Sequence, residues 1–96
     1  MQSDLEDPAL IKFRPEFLQN RIKEITEVLS KPDFEVMRSL SHNWKGFSRP
    51  YGFAELEVIA SELGLKAKSK DLEACMQILT KAKSYCIKQE NSIQST

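Results

Sequence analysis

Residues 33–52, "DFEVMRSLSHNWKGFSRPYG", contain the signals of one complete helix. Asp33 precedes the helix, and its carboxylate can accept hydrogen bonds from the free amides of the first turn. Pro50 and Gly52 end the helix or bend it sharply, because proline cannot continue a helix and glycine favours turns. Apolar residues recur at helical spacing between these ends, and we expect them to face the core: Val36, Met37, Leu40, Trp44 and Phe47.

Three further amphipathic helices flank this stretch. The first is predicted to begin near Pro15, which suits the first helical position, and to stop before Pro32. Another is expected to begin at about Phe53, with Gly64 weakening its last turns, and the last is capped by Asp71 or by Ser69. The predicted core residues are Phe17, Leu18, Ile22, Ile25, Val28 and Leu29 in the first of these helices, Phe53, Leu56, Ile59, Ala60 and Leu63 in the next, and Leu72, Cys75, Met76, Leu79, Ala82 and Cys86 in the last.

Short connections between amphipathic helices favour antiparallel neighbours. We therefore predict an all-α fold, specifically an antiparallel up-down-up-down four-helix bundle. A chain of 96 residues has room for one modest core and one domain. We expect the bundle to span residues 11–88, between a flexible N-terminal tail (1–10) and a polar C-terminal tail (89–96).

The composition limits the classes of function. Lys and Arg total 14 and Asp and Glu total 14, a balance that disfavours a general nucleic-acid binder. The chain contains neither the apolar run of a signal peptide nor a membrane-spanning stretch, so we expect a cytoplasmic protein that does not bind membranes. Cys75 and Cys86 are predicted to be reduced, buried thiols, because their spacing fits neither a disulfide framework nor, with the one histidine, a zinc site.

The single histidine, His42, lies opposite the apolar stripe when the helix is projected at about 100° per residue. A hydrogen-bonded core histidine is therefore disfavoured, and we expect the imidazole to face solvent. Its predicted neighbours on that face are Glu35, Arg38, Ser39, Lys45, Gly46 and Arg49.

Gly46 is an unfavourable choice for a helix, where glycine costs about 1 kcal/mol relative to alanine. One explanation is that it removes a side chain beside His42 and lets another molecule approach the imidazole. The alternative is that it marks an early helix end. Phe47, expected to continue the core stripe, favours the first explanation. For Arg38, Arg49 and Glu35, an ordinary solvated surface remains an alternative.

An exposed imidazole beside a lysine, with open space where Gly46 has no side chain, suits phosphoryl transfer. Neutral imidazole can act as a nucleophile near pH 7 without a separate base, and Lys45 can offset the charge of a phosphoryl group. The sequence has no glycine-rich phosphate loop and no carboxylate cluster suited to magnesium. We therefore expect the phosphoryl donor, and any metal ion, to arrive on another protein.

The pattern His42-x-x-Lys45-Gly46, followed by Gly52, resembles the signature of the histidine-containing phosphotransfer (HPt) domains of two-component phosphorelays. The flanking stretches "FLQNRIKEITEVLSKPDFEVMRSLSHNWKG" and "YGFAELEVIASEL" are also similar to that family's helices. The resemblance covers residues 11–86.

The resemblance implies a helical bundle with an exposed histidine that exchanges a phosphoryl group with receiver-domain aspartates. On this match His42 would be the phosphoacceptor, Lys45 would stabilise the phosphate, Gly46 would provide clearance and Gly52 would form a backbone turn. The partners would be receiver domains of hybrid sensor kinases and response regulators, with magnesium held by the receiver and no cofactor on this chain. The residues expected to contact a docked receiver are Arg38, Ser39, Gly46 and Arg49.

The chain departs from the family where small residues are usual after the first glycine, since it has Phe47, Arg49 and Pro50. We expect a free-standing, monomeric phosphorelay intermediate, a phosphoryl carrier and not a kinase. The alternative is a helical adaptor without chemistry that docks partners through Arg38, Lys45 and Arg49. An enzyme with its own active site is the least favoured class, because paired catalytic groups and a cleft are not apparent.

Overall fold

The computed structural model describes residues 8–94, and within this range every regular element is a helix. The fold is therefore all-helical, as predicted. In chain order the helices are α1 (Pro8–Ile11), α2 (Arg14–Ser30), α3 (Phe34–Phe47), α4 (Ala54–Lys68) and α5 (Leu72–Gln94).

The local signals at the helix starts act as predicted. Pro15 lies in the first turn of α2. The Asp33 carboxylate accepts hydrogen bonds from the Glu35 amide at 2.8 Å and the Val36 amide at 3.2 Å, so it caps α3. Asp71 caps α5, because its carboxylate accepts from the Ala74 amide at 3.1 Å.

The two chain ends differ from the prediction. Pro8–Ile11 forms the short helix α1. The predicted N-terminal tail, residues 1–10, includes the first three residues of this helix. Residues 1–7 of that tail lie outside the described part of the chain. At the other end α5 continues to Gln94, well beyond the predicted boundary at residue 88. Ile93, seven residues after Cys86, is half-buried and packs against the core, so the apolar face of α5 continues beyond the predicted boundary.

The core is formed by the four long helices. Nearly all predicted apolar positions of α2, α4 and α5 are buried or half-buried, and Leu72 is exposed at the start of α5. The main packing pairs are α3 with α4, α2 with α5 and α4 with α5. The buried side chains are Phe17, Leu18, Ile25, Val28, Met37, Leu40, Trp44, Phe53, Leu56, Ile59, Ala60, Leu63, Ala67, Cys75, Leu79, Ala82 and Cys86.

The buried face of α3 is rotated from the predicted one. Phe47 and Val36, predicted in the core, are exposed, whereas Ser41 and Ser48 are buried. The buried positions after Met37 follow it by three, four, seven and eleven residues, as one helix face requires: Leu40, Ser41, Trp44 and Ser48. The prediction for Phe47 was wrong because two serines occupy core positions that a count of apolar residues leaves out.

Candidate functional site

His42 lies on the solvent side of α3, as predicted. The helix is held in this orientation by Trp44, whose fully buried indole donates a hydrogen bond from Nε1 to Glu24 Oε1 at 3.0 Å. Glu24 is held in turn by Arg21, with Nε donating at 2.7 Å. A buried indole N–H needs an acceptor, so this network resists rotation of α3 that would turn His42 inward.

On the side of α3 that bears Ser41, next to His42 in the chain, the helix approaches α4 closely. Ser41 donates from its buried hydroxyl to the Ala60 carbonyl at 2.6 Å. A Cβ atom added at Gly64 would lie 2.5 Å from Ser41 Oγ and 3.3 Å from Ser41 Cβ. Gly64 therefore permits the close packing of α3 on α4, and α4 continues as a helix to Lys68.

Lys45 and Arg38 lie beside His42 and are exposed. Among the described residues neither side chain forms an ion pair, so both cations are available to an anion. A surface hollow runs from this part of α3 to α4 and is lined by Arg38, Ser41, His42, Lys45, Ser61, Gly64, Leu65 and Lys68.

Lys68 is a third cation in this hollow, and sequence reasoning missed it. It lies in the last turn of α4, 26 positions after His42 in the sequence. Only the packing of α3 on α4 brings the two residues to one hollow. The excess of lysines at the end of α4 was visible in the sequence, but it is equally typical of an ordinary helix C-terminus.

Gly46 provides open space beside the imidazole. A Cβ atom added there would meet no atom within 4 Å, and the residue has a helical backbone conformation. Neither internal packing nor the backbone therefore requires glycine at this position. Gly46 lines a second hollow together with His42, Asn43, Lys45 and Phe47.

Ser39 and Arg38 line a third hollow on the N-terminal side of the histidine, with Glu35, His42 and Asn43. His42 thus borders three separate concave surfaces. Ser39 is exposed, as its predicted place beside the histidine requires.

Arg49 lies apart from the other predicted docking residues. The helix ends at Phe47, and Arg49 lies in the following turn, where its guanidinium forms an ion pair with Glu57 of α4. Its Nε is buried without a hydrogen-bond partner among the described residues. Arg49 lines none of the three hollows around His42, so the structure assigns it to the joint between α3 and α4.

Gly52 forms the backbone turn that the resemblance implied. Its φ of 94° lies in the left-handed region that favours glycine. Arg14 packs against this turn and donates from Nε to the Tyr51 carbonyl at 2.6 Å. The turn, with Pro50 just before it, joins the end of α3 to α4.

The two thiols lie in the core and take no part in this site. Burial raises the pKa of Cys86 to about 12 and also raises the pKa of Cys75. Both thiols therefore stay protonated near neutral pH. Within residues 8–94 no three histidine, cysteine or acidic side chains gather as a possible metal site. No helix in that range has the length and apolar character needed to cross a membrane.

Comparison with protein-family models, with curated proteins and with solved structures finds no match to this chain. The functional assignment therefore depends on the residues around His42 and on the resemblance of their motif.

Proposed function

We propose that this protein is a phosphorelay intermediate. In this role His42 accepts a phosphoryl group from a receiver-domain aspartyl phosphate and passes it to the aspartate of another receiver. The observation that carries the proposal is the exposed imidazole with the free cation Lys45 one turn later and open space over Gly46. Arg38 and Lys68 add positive charge in the same hollow.

The transfer step uses few groups of this chain. The unprotonated ring nitrogen of His42 attacks the phosphorus, a nitrogen–phosphorus bond forms, and the phosphorus–oxygen bond to the aspartate breaks. The aspartate leaves as a carboxylate, and the reverse step regenerates the free imidazole. Lys45 attracts the charge of the phosphoryl oxygens during both steps. The chain acts as a carrier and not as a kinase, and we assign the magnesium ion to the receiver.

The architecture that we propose for this role is an antiparallel up-down-up-down bundle of α2, α3, α4 and α5. Short connections between successive helices support it, as does the packing of α3 on α4 and of α2 and α4 on α5. We assign a monomeric state to the bundle, because the predicted stripes can be buried within one chain, and a cytoplasmic location where receivers and their kinases meet.

A helical adaptor that binds a receiver or kinase without chemistry is the alternative. The observation that favours it is that the exposed ring of Phe47 borders the same hollow as His42 and Lys45, where it could contact a bound partner. The adaptor would use the same face of α3. The two functions differ only in whether His42 becomes phosphorylated.

Incubation with receiver domains labelled by radioactive acetyl phosphate distinguishes them. We expect the wild-type chain to gain acid-labile, base-stable phosphate and His42→Gln to gain none. Asn43→Gln, a change at the adjacent exposed position, is the matched control and should retain labelling. A wild-type chain that binds phosphorylated receivers and gains no label would support the adaptor.

A further inference from the structure

The outward face of α4 carries an apolar stripe that the bundle leaves uncovered. Val58 is 57% exposed, and Leu65 is 69% exposed, more than any other large apolar side chain among the described residues. Ala54 and Ser61 are also exposed. At about 100° per residue, all four positions lie within about 60° of Val58 on the helix surface. We call Ala54, Val58, Ser61 and Leu65 the α4 stripe.

The α4 stripe has the spacing of a helix that packs against another helix. Its members are separated by four, three and four residues, which is the repeat of the contact positions in paired helices. The two larger side chains alternate with the small residues Ala54 and Ser61, so a facing helix can interdigitate with them. A single exposed apolar residue is ordinary, but a line of them indicates an interaction surface.

The charges of α4 indicate what covers the stripe. Glu55 and Glu57 lie in the first turn of the helix, and Lys66 and Lys68 lie near its end. Neither lysine forms an ion pair within the described part of the chain. A second α4 that lies antiparallel to the first places its basic end against the acidic end of the first. The helix is therefore complementary to another copy of itself.

A symmetric pair sets the register of the apolar contact. A two-fold axis perpendicular to α4, midway between Val58 and Leu65, places each Val58 against Leu65 of the other copy. The two Glu62 side chains then meet near the axis, where their like charges repel. Lys81 lies 3.8 Å from Glu62 and offsets this repulsion, so two opposite-charge pairs meet at the centre.

The same axis matches the charges at both ends. Glu55 and Lys66 flank one side of the stripe, and Glu57 and Lys68 flank the other side. Since the axis brings equal sides together, Glu55 faces Lys66 of the other copy and Glu57 faces Lys68 of the other copy. Exposed ion pairs add little affinity, but they fix the orientation. Glu57 also holds Arg49, so Glu55 is the residue on which to test the orientation.

We propose that the α4 stripe binds a second copy of this chain in a reversible antiparallel pair that closes the hollow between His42 and α4. Ser61, Leu65 and Lys68 line that hollow together with His42 and Lys45, so a helix that lies on the stripe covers it. One helix face is a small interface, which makes the pair weak and dependent on concentration. The single bundle remains the form that transfers phosphate. This effect on transfer rests on the proposed function, whereas the pairing does not.

Sedimentation equilibrium over a range of chain concentrations tests the pairing. We expect a monomer–dimer equilibrium for the wild type, and we expect Val58→Ser and Leu65→Ser each to raise the dissociation constant at least about tenfold. Val36→Ser is the matched control, because Val36 is 44% exposed on α3, outside the stripe. Unchanged circular dichroism shows that each variant is folded. A wild-type chain that stays monomeric at about 1 mM would overturn the inference.

Charge exchange tests the orientation of the two copies. Glu55→Lys should weaken the pair, because the new lysine faces Lys66 of the other copy. The double variant Glu55→Lys with Lys66→Glu should restore the pair, and both effects should shrink as salt rises. A double variant that pairs more weakly than either single variant would contradict the antiparallel arrangement.

A cross-link tests the position of the axis. Ser61 lies close to the axis, so Ser61→Cys should form a disulfide-linked dimer when diamide oxidises the two thiols. Ser84→Cys, the same change at an exposed position of α5, should not. The natural thiols Cys75 and Cys86 are buried and should leave the wild type unlinked. Equal cross-linking of the two serine variants would contradict the proposed register.

The transfer assay separates failure of the relay from failure of the inference. We expect the labelling rate per wild-type chain to fall as the chain concentration passes the dissociation constant of the pair, and Val58→Ser to show no such fall. A chain that pairs as described but gains no label contradicts the proposed function and supports the pairing. A labelled chain whose rate per chain is the same in the monomer and the dimer contradicts closure of the hollow.

Discussion

Gly46 and Gly64 are both helical glycines, but their surroundings differ completely. Gly46 faces open space, whereas a Cβ atom at Gly64 would collide with Ser41. The first glycine therefore has no role inside the protein, and the second is required by the packing of two helices. Alanine substitution should consequently have opposite effects on stability at the two positions.

At Gly46 we expect substitution to stabilise the fold and impair transfer. Gly46→Ala should raise the free energy of unfolding by about 1 kcal/mol, because alanine is the better helix former and meets no neighbour. Gly46→Leu should keep the helix content and slow phosphoryl transfer at least about tenfold, since its side chain occupies the space beside His42. Urea unfolding and labelling rates measure the two effects.

The control for Gly46→Leu is Gln77→Leu, a neutral and exposed position on α5. It should leave the transfer rate unchanged. A Gly46→Leu chain that transfers at the wild-type rate would show that Gly46 does not serve as clearance for a partner.

At the scale of the helices, the contact between α3 and α4 sets the position of the site. The hydrogen bond from Ser41 to Ala60 and the absence of a side chain at Gly64 bring these helices together directly beneath His42. The same contact brings Lys68 of α4 to the hollow that Lys45 lines. A shift between the two helices would therefore disturb both stability and the charge around the histidine.

Gly64→Ala should destabilise the protein by about 1–2 kcal/mol, since the added Cβ displaces the Ser41 hydroxyl from its acceptor, and the loss exceeds the gain in helix propensity. Urea unfolding of Gly64→Ala, Ser41→Ala and the double variant tests this in a mutant cycle. We expect the double variant to be clearly less destabilised than the sum of the single changes. A stabilising effect of Gly64→Ala would contradict the close approach.

At the scale of the whole molecule, burial of titratable groups in the core lowers the free energy of unfolding at alkaline pH. The pKa of the Cys86 thiol is raised from 9.0 to about 12 by burial, and burial likewise raises the pKa of Tyr85 to about 12. Below pH 9 the thiol is protonated in both the folded and unfolded chains. Above pH 9 the unfolded chain loses the proton first, so the free energy of unfolding falls as pH rises toward 12.

We expect Cys86→Ala to make this decline shallower between pH 9 and 12. The difference in slope should be at most about 1.4 kcal/mol per pH unit, the limit for one titrating group. Ala82→Gly is the control, because it also weakens the core of α5 but removes no titrating group. Equal slopes for wild type and Cys86→Ala, measured by urea unfolding, would contradict burial of the thiol.

Local signals in the sequence were sufficient for the helix starts and for the orientation of His42. Proline at a helix start and the cap at Asp33 act within a few residues, so the chain reveals them directly. The face of α3 that is buried was only partly predictable. Ser41 lies in the core because its hydroxyl donates a hydrogen bond to a carbonyl of another helix, and the sequence does not reveal that acceptor. The sequence could not assign Lys68 to the site, since the proximity of Lys68 to His42 depends on how α4 packs on α3.

A two-receiver chase tests the central claim most directly. A receiver carrying labelled aspartyl phosphate is mixed with the wild-type chain, removed, and replaced by an unlabelled receiver. We predict that the label moves first to His42, as an acid-labile phosphate absent from His42→Gln, and then to the second receiver. Label that never reaches this chain, or that stays on it while every second receiver remains unlabelled, would contradict the relay.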